Sequence, residues 1–343
     1  MRTSNSASAL KTIAKGAGVV TATGLAAAAG WTAWSALFIN HRQSVPPAIR
    51  ANRYVTATPL SGRLSFYADE SASSGRPLIL LHSINAAASS YEMLPVFEHF
   101  RGKRPVFALD LPGFGFSERA ERTYHPDIYV QAILDFVDGE LAGADAVDIV
   151  ALSLSSEFAA IAAVEQPDFF HSLAMIAPTG FQSTTPRGSE RVHRAVTFPV
   201  WSQAVFDLLV TRPSIDYFLQ KAFAGQVDPG LADYAFLTSH RPGARYAPFY
   251  FIAGKLFTPD VRSWYSAIQQ PVLAFCDLGD FGPSDLLPQF CRDHANWEMA
   301  CIEDTKSMPH FENPGPTFER LEAFLSATEE PHQVAAPESA DTL

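Results

Sequence analysis

From residue 54 onward the sequence alternates short apolar runs with stretches of helical length, and this alternation constrains the fold more than any other feature. The apolar runs predict strands at Tyr54–Thr58, Arg63–Tyr67, Pro77–Leu81, Val106–Leu109, Val147–Leu152, Leu173–Ala177, Pro271–Cys276 and Trp297–Ile302. A Pro-Leu-Ser-Gly turn joins the first two runs, which predicts an antiparallel hairpin. Strands that alternate with helices form βαβ units. We therefore expect an α/β protein with a mostly parallel, eight-stranded sheet flanked by helices.

One connection breaks this alternation. More than ninety residues separate Ala177 from Pro271, far beyond an ordinary loop, and they carry helical patterns of their own. The sequence predicts a helical cap over 181–267, inserted between strands 6 and 7 of a core formed by 54–180 and 268–326. Of the 41 aromatic residues, 16 lie between Phe181 and Tyr265. This density is typical of an apolar acyl or ring pocket, or of a small lid that packs itself onto the sheet.

The N-terminal part has a different character, because no charge occurs over the 25 residues Gly16–Asn40. At a rise of about 1.5 Å per residue, such a helix is long enough for a hydrocarbon core of ~30 Å. We expect a single-pass membrane anchor at 16–40, after a basic segment at 1–15 and before a linker at 41–53. A cleaved signal peptide and an Ala-rich surface helix are the alternatives. Basic residues flank both ends, so no orientation is predicted (Arg2, Lys11, Lys15, Arg42, Arg50, Arg53).

The distribution of charge excludes some classes of function. The net charge is −11, yet none of the 36 acidic residues precedes Asp69, whereas seven of the 25 basic ones do. The body after Asp69 is therefore strongly acidic and would repel nucleic acid. Residues 327–343 predict a disordered acidic tail. No phosphate loop, nucleotide fingerprint or metal-ligand cluster occurs, so we expect no cofactor and no metal.

A candidate nucleophile lies in the segment Val147-Asp-Ile-Val-Ala-Leu-Ser-Leu-Ser-Ser. The predicted strand ends at Leu152 and a helix begins two residues later, which places Ser153 on the turn between them. A sharp strand-to-helix turn needs small neighbours, and here they are Ala151 and Ser155. The start of the following helix favours a developing oxyanion. The alternative is that Ser153 only caps that helix.

A serine nucleophile needs a base and an acid that orients the base. His310 lies in Ser-Met-Pro-His-Phe-Glu-Asn-Pro, between the last predicted strand and the terminal helix. Asp280 follows the Pro271–Cys276 strand, with Asp277 and Asp285 as rivals for the role of the acid. The order Ser, Asp, His along the chain is the one associated with the hydrolase sheet architecture.

Several segments together resemble the α/β-hydrolase superfamily over roughly 54–326. Leu80-Leu-His-Ser-Ile-Asn is similar to its oxyanion loop, and Leu109-Asp-Leu-Pro-Gly-Phe-Gly-Phe-Ser to the loop after its fourth strand. Ala151-Leu-Ser-Leu-Ser resembles its nucleophile elbow and Pro309-His-Phe-Glu-Asn-Pro its histidine loop. The resemblance implies the α/β-hydrolase fold, with the helical insertion in the place of the family's cap.

The same resemblance implies roles for individual residues. Ser153 would be the nucleophile, His310 the base and Asp280 the acid, with the Leu154 and Ile84 N–H groups as the oxyanion hole. Positions 83, 151 and 155 carry Ser, Ala and Ser where the family usually has Gly. Ser83 and Asn85 are candidate substrate contacts on the oxyanion loop. Other polar or small residues have structural interpretations: caps for Ser155 and Ser156, a hydrogen-bonding role for His82, a turn for Asp110, and buried small hydrophobes for Cys276 and Cys301.

These features predict a membrane-anchored serine hydrolase that cleaves a carboxylic ester or related acyl compound with an apolar portion. Two alternatives stay open. The same triad would serve a carbon–carbon bond hydrolase or a cofactor-free haloperoxidase-like enzyme. The replaced glycines would also suit an inactive, membrane-tethered binding protein.

Overall fold

The computed structural model describes residues 27–72, 74–183, 188–279 and 283–329. Eight strands form one sheet: β1 (Asn52–Thr58), β2 (Gly62–Asp69), β3 (Leu78–Leu81), β4 (Val106–Asp110), β5 (Val147–Leu152), β6 (Phe170–Ile176), β7 (Val272–Phe275) and β8 (Trp297–Ala300). Their order is β1-β2-β4-β3-β5-β6-β7-β8. The β1–β2 and β2–β4 pairs are antiparallel and all others are parallel. The predicted eight-stranded, mostly parallel sheet is confirmed.

The helices follow the alternation that the sequence predicts. They are α1 (27–38), α2 (Leu94–Phe100), α3 (Pro126–Glu140), α4 (Ser155–Glu165), α5 (Glu190–Val196), α6 (Ser202–Leu209), α7 (Arg212–Ala222), α8 (Pro229–Ser239), α9 (Tyr246–Ile252), α10 (Val261–Ala267), α11 (Leu287–Asp293), α12 (Pro309–Glu312) and α13 (Pro314–Glu329). Helix α13 continues three residues beyond the predicted end of the core. The rest of the predicted acidic tail lies outside the described residues.

Both faces of the sheet are buried because successive side chains of a strand point to opposite faces. In β5, Ile149 and Ala151 pack against α3 and α4, where Tyr129 and Phe158 stack at 4.7 Å between ring centroids. Val150 and Leu152 face the opposite layer, which includes residues of α2 and α13. The parallel strands are therefore continuously apolar, and their carboxyl ends meet at one edge of the sheet.

Between β6 and β7 the described residues form six helices, α5–α10, with a small apolar core of their own that includes Phe206 and Phe249. Several hydrogen bonds attach these helices to the sheet domain. The Arg119 guanidinium donates to the Thr238 carbonyl (3.0 Å), and the Ala224 N–H donates to the Glu312 carboxylate (2.6 Å). The helical layer is thus held against the loops at the carboxyl edge of the sheet.

Helix α1 lies on α6, so it extends the helical layer. The Trp31 indole donates to the Ala204 carbonyl (2.7 Å), and the Ser35 hydroxyl donates to the buried Asp207 carboxylate (2.5 Å). His41 Nε2 lies 2.8 Å from the same carboxylate. Helix α1, which covers 27–38 of the predicted 16–40 anchor, therefore contacts the cap through Trp31 and Ser35, and residues 16–26 lie outside the described part. Within the described ranges, no helix has both the length and the apolar character that crossing a membrane requires.

Cys276 and Cys301 form a disulfide. This corrects the interpretation of the two residues as separate buried cysteines. Their pairing follows from the sheet. Phe275 and Ala300 are register partners in β7 and β8, so the residues that follow them are neighbours as well. The sequence alone does not reveal which strand ends are adjacent. Cys291 is the free cysteine.

The disulfide predicts the number of reactive thiols. In denaturant without reductant, the full chain should react with one equivalent of a thiol reagent, at Cys291, and with three equivalents after reduction. A Cys291→Ser variant, the matched control, should give zero and two. Three reactive thiols before reduction, in protein prepared without reductant, would contradict the pairing of Cys276 with Cys301.

Candidate functional site

The turn between β5 and α4 holds Ser153 in a left-handed backbone conformation, with φ of +56°. Such a conformation costs about 1–3 kcal/mol for a residue other than glycine, so the surroundings must enforce it. The Ser153 N–H donates to the Ile176 carbonyl (2.8 Å), which ties the turn to the end of β6. The neighbouring Ala151 and Ser155 are fully buried. The structure thus places Ser153 on the sharp, strained turn that the sequence predicts.

The loop after β3 is joined directly to the start of α4. The Ser155 hydroxyl donates to the His82 carbonyl (2.5 Å), so Ser155 links two loops and does not cap its own helix. The N–H groups of Leu154 and Ile84, predicted to form the oxyanion hole, make none of the turn and loop hydrogen bonds among the described residues. Their role as an oxyanion hole stays a prediction.

A buried carboxylate shapes the oxyanion loop. Glu92 accepts the Ser83 N–H at one oxygen (2.8 Å) and the Asn85 amide at the other (2.7 Å). The Asn85 amide also donates to the Ser83 hydroxyl (2.9 Å), and its oxygen accepts the Ala87 N–H (2.7 Å). The polar groups of Ser83 and Asn85, our candidate substrate contacts, are thus engaged within the loop. No sequence signal identified Glu92.

His82 and Asp110 have the structural contacts that their positions predict. His82 Nε2 accepts the Leu111 N–H (2.9 Å), so Nδ1 carries the proton and donates to the Ser83 carbonyl (2.6 Å). Burial lowers the pKa of His82, which keeps the ring neutral. Asp110 accepts the Phe116 N–H (2.8 Å) across the Pro-Gly turn. Gly115 is required there, because a Cβ would lie 2.0 Å from the Asp110 carboxylate.

His310 is fully buried at the start of α12. Its Nε2 lies 2.8 Å from the Glu92 carbonyl oxygen, which only accepts, so Nε2 carries the proton. Nδ1 is the basic nitrogen and has no hydrogen-bond partner among the described residues. Burial lowers the pKa of His310 to about 4, although the Glu92 carbonyl opposes that shift. His310 therefore contacts the backbone of Glu92, the residue whose carboxylate holds the oxyanion loop. No hydrogen bond joins His310 to Ser153.

The predicted acid, Asp280, lies outside the described residues. Of its two rivals, Asp285 is exposed and Asp277 is buried. Asp277 accepts the Ser307 hydroxyl (2.7 Å) and the Gly279 N–H (2.7 Å), and burial raises its pKa. The loop after β7 and the histidine loop thus meet through a carboxylate and a hydroxyl. Sequence reasoning missed Ser307 because a serine in a loop carries no distinguishing signal.

The Ser155–His82 hydrogen bond joins the start of α4, two residues after Ser153, to the loop after β3. Among the described residues, the Ser153 hydroxyl makes no hydrogen bond to an imidazole, a carboxylate or an amine. The roles of His310 as base and Asp280 as acid therefore stay predictions.

A second buried carboxylate lies one helical turn beyond Ser153. Glu157 in α4 accepts the Thr179 hydroxyl (2.5 Å) and the Thr258 N–H (2.7 Å). It therefore joins the core to the end of β6 and to the helical insertion. Burial raises the pKa of Glu157 to about 7, and the two threonine hydrogen bonds only partly oppose this shift.

The raised pKa of Glu157 predicts a pH-dependent stability. Between pH 4.5 and about 7 the folded state keeps a proton that the unfolded state releases. The contribution of Glu157 to the free energy of unfolding should therefore fall as the pH rises through this window, by about 3 kcal/mol in total. Urea unfolding at pH 5 and pH 8 should show this contribution in the wild type and not in Glu157→Gln.

The control for this measurement is Glu140→Gln, at an exposed carboxylate near the end of α3. It should leave the difference between pH 5 and pH 8 unchanged. If Glu157→Gln kept the full pH dependence of the wild type, the proton would belong to another group.

A cavity of about 720 Å³ lies at the edge of the sheet beside β1, and it is remote from this chemistry. Its walls include Pro46, Arg50, Asp69 and Arg101. None of the predicted site residues lines it. We therefore assign the chemistry to the turn at Ser153 and not to this cavity.

The chain is similar in sequence and in structure to known hydrolases. The alpha/beta hydrolase family matches residues 78–320. No curated protein matches the sequence. A probable hydrolytic enzyme from Pseudomonas aeruginosa PAO1 has a similar structure, with 15% identity, a TM-score of 0.67, and coverage of 87% of this chain and 100% of that one.

Two further solved structures are similar. Carboxylesterase CesB from Bacillus subtilis is 14% identical, with a TM-score of 0.61 and coverage of 81% of this chain and 92% of that one. A membrane phospholipase A described as a bacterial virulence factor is 17% identical, with a TM-score of 0.62 and coverage of 94% and 98%. At these identities the likeness shows the fold. The family match spans most of the chain and contains the turn at Ser153, and the protein therefore belongs to the alpha/beta hydrolase family.

Proposed function

We propose that this protein is a serine hydrolase that cleaves a carboxylic ester or related acyl compound with an apolar portion, and that Ser153 is its nucleophile. The observation that carries the proposal is the strained backbone of Ser153 at the start of α4. A protein that used Ser153 only as a helix cap would have no need of this conformation, because caps are extended. The Ser155–His82 bond also holds the oxyanion loop beside the turn.

In the proposed reaction, the Ser153 oxygen attacks the carbonyl carbon of the acyl group and its proton passes to a base. The N–H groups of Leu154 and Ile84 stabilise the oxyanion, the leaving group departs with the proton, and water then releases the acyl group. We propose His310 as the base and Asp280 as the acid. In the tautomer that the Glu92 contact implies, only Nδ1 of His310 can accept a proton, so the base is either this nitrogen or an Nε2 that has left the Glu92 carbonyl.

The nucleophile can be tested by covalent labelling. A fluorophosphonate probe should label the wild-type protein, and Ser153→Ala should lose the label because the attacking oxygen is absent. Labelling is read from in-gel fluorescence and from the mass of the modified peptide. The matched control is Ser263→Ala, an exposed serine on α10, which should label like the wild type. Labelling that survives in Ser153→Ala would contradict the assignment.

The base can be separated from a purely structural role by two variants of His310. The glutamine side chain of His310→Gln can still donate to the Glu92 carbonyl but cannot act as a base, whereas His310→Ala removes both functions. If His310 is the base, both variants should label about 10²–10⁴ times more slowly than the wild type. A wild-type labelling rate in His310→Gln together with a loss in His310→Ala would show that His310 only positions Glu92. Circular dichroism of both variants checks that they fold.

A second function is favoured by the contacts of the two loops. Asp277 binds Ser307, and Ser153 has no hydrogen bond to a base among the described residues. This arrangement would suit a protein that binds an apolar acyl ligand without cleaving it. The labelling tests distinguish the two functions, because a binding protein would leave Ser153 unmodified in the wild type.

We also propose that the uncharged N-terminal segment attaches the protein to a membrane. The support is the charge-free run from Gly16 to Asn40. A membrane phospholipase A is among the similar structures and is covered almost completely. The Cys276–Cys301 disulfide favours a body on the oxidising side of that membrane.

A further inference from the structure

The polarity of α1 is inverted relative to a helix of a soluble protein. Nine of its twelve residues are exposed, and every exposed residue is apolar: Ala27, Ala28, Ala29, Gly30, Ala33, Trp34, Ala36, Leu37 and Phe38. The polar members face inward instead, with Ser35 buried and Thr32 half-buried. A surface helix normally turns its apolar stripe to the core and its polar face to water. Here the apolar stripe faces outward.

This orientation is held by specific contacts. Ser35 and His41 both bind the buried Asp207 carboxylate of α6, and Gln203 donates to it as well (2.8 Å). The Trp31 indole binds the Ala204 carbonyl one turn earlier. A buried carboxylate with three partners is costly to leave unpaired. The polar side of α1 is therefore attached to α6, and its apolar side cannot turn inward without breaking these bonds.

The cap also carries exposed apolar residues, on and just before the helix that α1 contacts. Leu208 directly follows Asp207 and is 58% exposed, and Trp201 precedes Ala204 by about one turn and is 42% exposed. Phe198 packs on Trp201 with 4.4 Å between ring centroids, as Trp34 packs on Phe38. We call the set Trp34, Leu37, Phe38, Phe198, Val200, Trp201 and Leu208 the apolar face. Large exposed apolar patches on soluble proteins commonly mark surfaces that bind a partner.

We propose that the apolar face binds the boundary between headgroups and acyl chains of a lipid bilayer, so that the cap lies against one leaflet. This inference rests on the proposed membrane attachment. The occupant follows from the preceding sequence, because residues 16–26, directly before α1, carry no charge either. Tryptophan and phenylalanine are typical of the water–lipid boundary. A membrane that binds residues 16–26 would therefore also contact α1, which follows them in the chain.

The contacts of α1 favour a protein that lies on the membrane over one that spans it. Since 27–38 is held on α6, the uncharged chain outside that contact is Gly16–Ala26, eleven residues long. Eleven residues are fewer than the roughly 20 that a membrane-spanning helix needs, which favours attachment to one leaflet over a span.

The test uses the full chain and vesicles of phosphatidylcholine with bromine atoms on the acyl chains, which quench tryptophan fluorescence on contact. Trp34→Phe and Trp201→Phe keep the face apolar and should each reduce the quenched fraction. Trp264→Phe, on α10 and outside the apolar face, should leave that fraction unchanged. Neutral lipid is used so that binding is attributed to the apolar face and not to charge.

A second pair of variants measures affinity. Leu208→Glu places a charge on the apolar face and should weaken vesicle binding at least about tenfold. Leu60→Glu, at an equally exposed leucine on the β1–β2 turn, should not change it. An equal effect of both variants would overturn the proposal, because the face would then have no special role.

The possible results distinguish the contact of the cap with lipid from the proposed membrane attachment and from the proposed hydrolase activity. Vesicle binding with quenching of Trp34 but not of Trp201 would overturn the cap contact and leave the attachment in place. No vesicle binding would overturn both, while fluorophosphonate labelling of Ser153 would be unaffected. A lipid-free dimer that Leu208→Glu converts to monomer, without quenching in vesicles, would show that a second copy covers the face.

Discussion

The left-handed turn at Ser153 is the constraint on which the rest of the site depends. A residue with a side chain adopts this conformation only where its surroundings leave no alternative. Here the parallel pairing of β5 with β6 holds the Ser153 N–H on the Ile176 carbonyl, and α4 begins two residues later. The serine thereby lies half-buried at the carboxyl edge of the sheet, at the start of the helix.

The loops around this turn are organised by buried polar groups. Glu92 holds the oxyanion loop through hydrogen bonds with Ser83 and Asn85, and His310 donates a hydrogen bond to the Glu92 carbonyl. Glu157 connects the next turn of α4 to the helical insertion. Each of these groups is desolvated, so each is costly to leave unpaired. The arrangement preorganises the backbone at Ser153, and it makes the protonation of His310 and Glu157 part of the stability of the fold.

Helix α1 has the reverse of the usual distribution of polar and apolar residues. Its few polar groups bind a buried carboxylate on α6, and its apolar residues face outward. Because a helix has only one side toward its partner, attaching the polar side to the cap exposes the apolar side. This accounts for the apolar residues that α1 exposes.

The sequence by itself determined the sheet, the position of the helical insertion and the turn at Ser153, because all three depend on local periodicity and on small residues at fixed spacing. The contacts of His310 with Glu92, of Asp277 with Ser307 and of Cys276 with Cys301 were decided by the tertiary structure alone. Each joins residues from different strand ends or loops, and adjacency at a sheet edge leaves no periodic signal in the chain. The tertiary structure alone also decided which side of α1 faces the protein, because an uncharged sequence does not indicate whether its apolar residues face inward or outward.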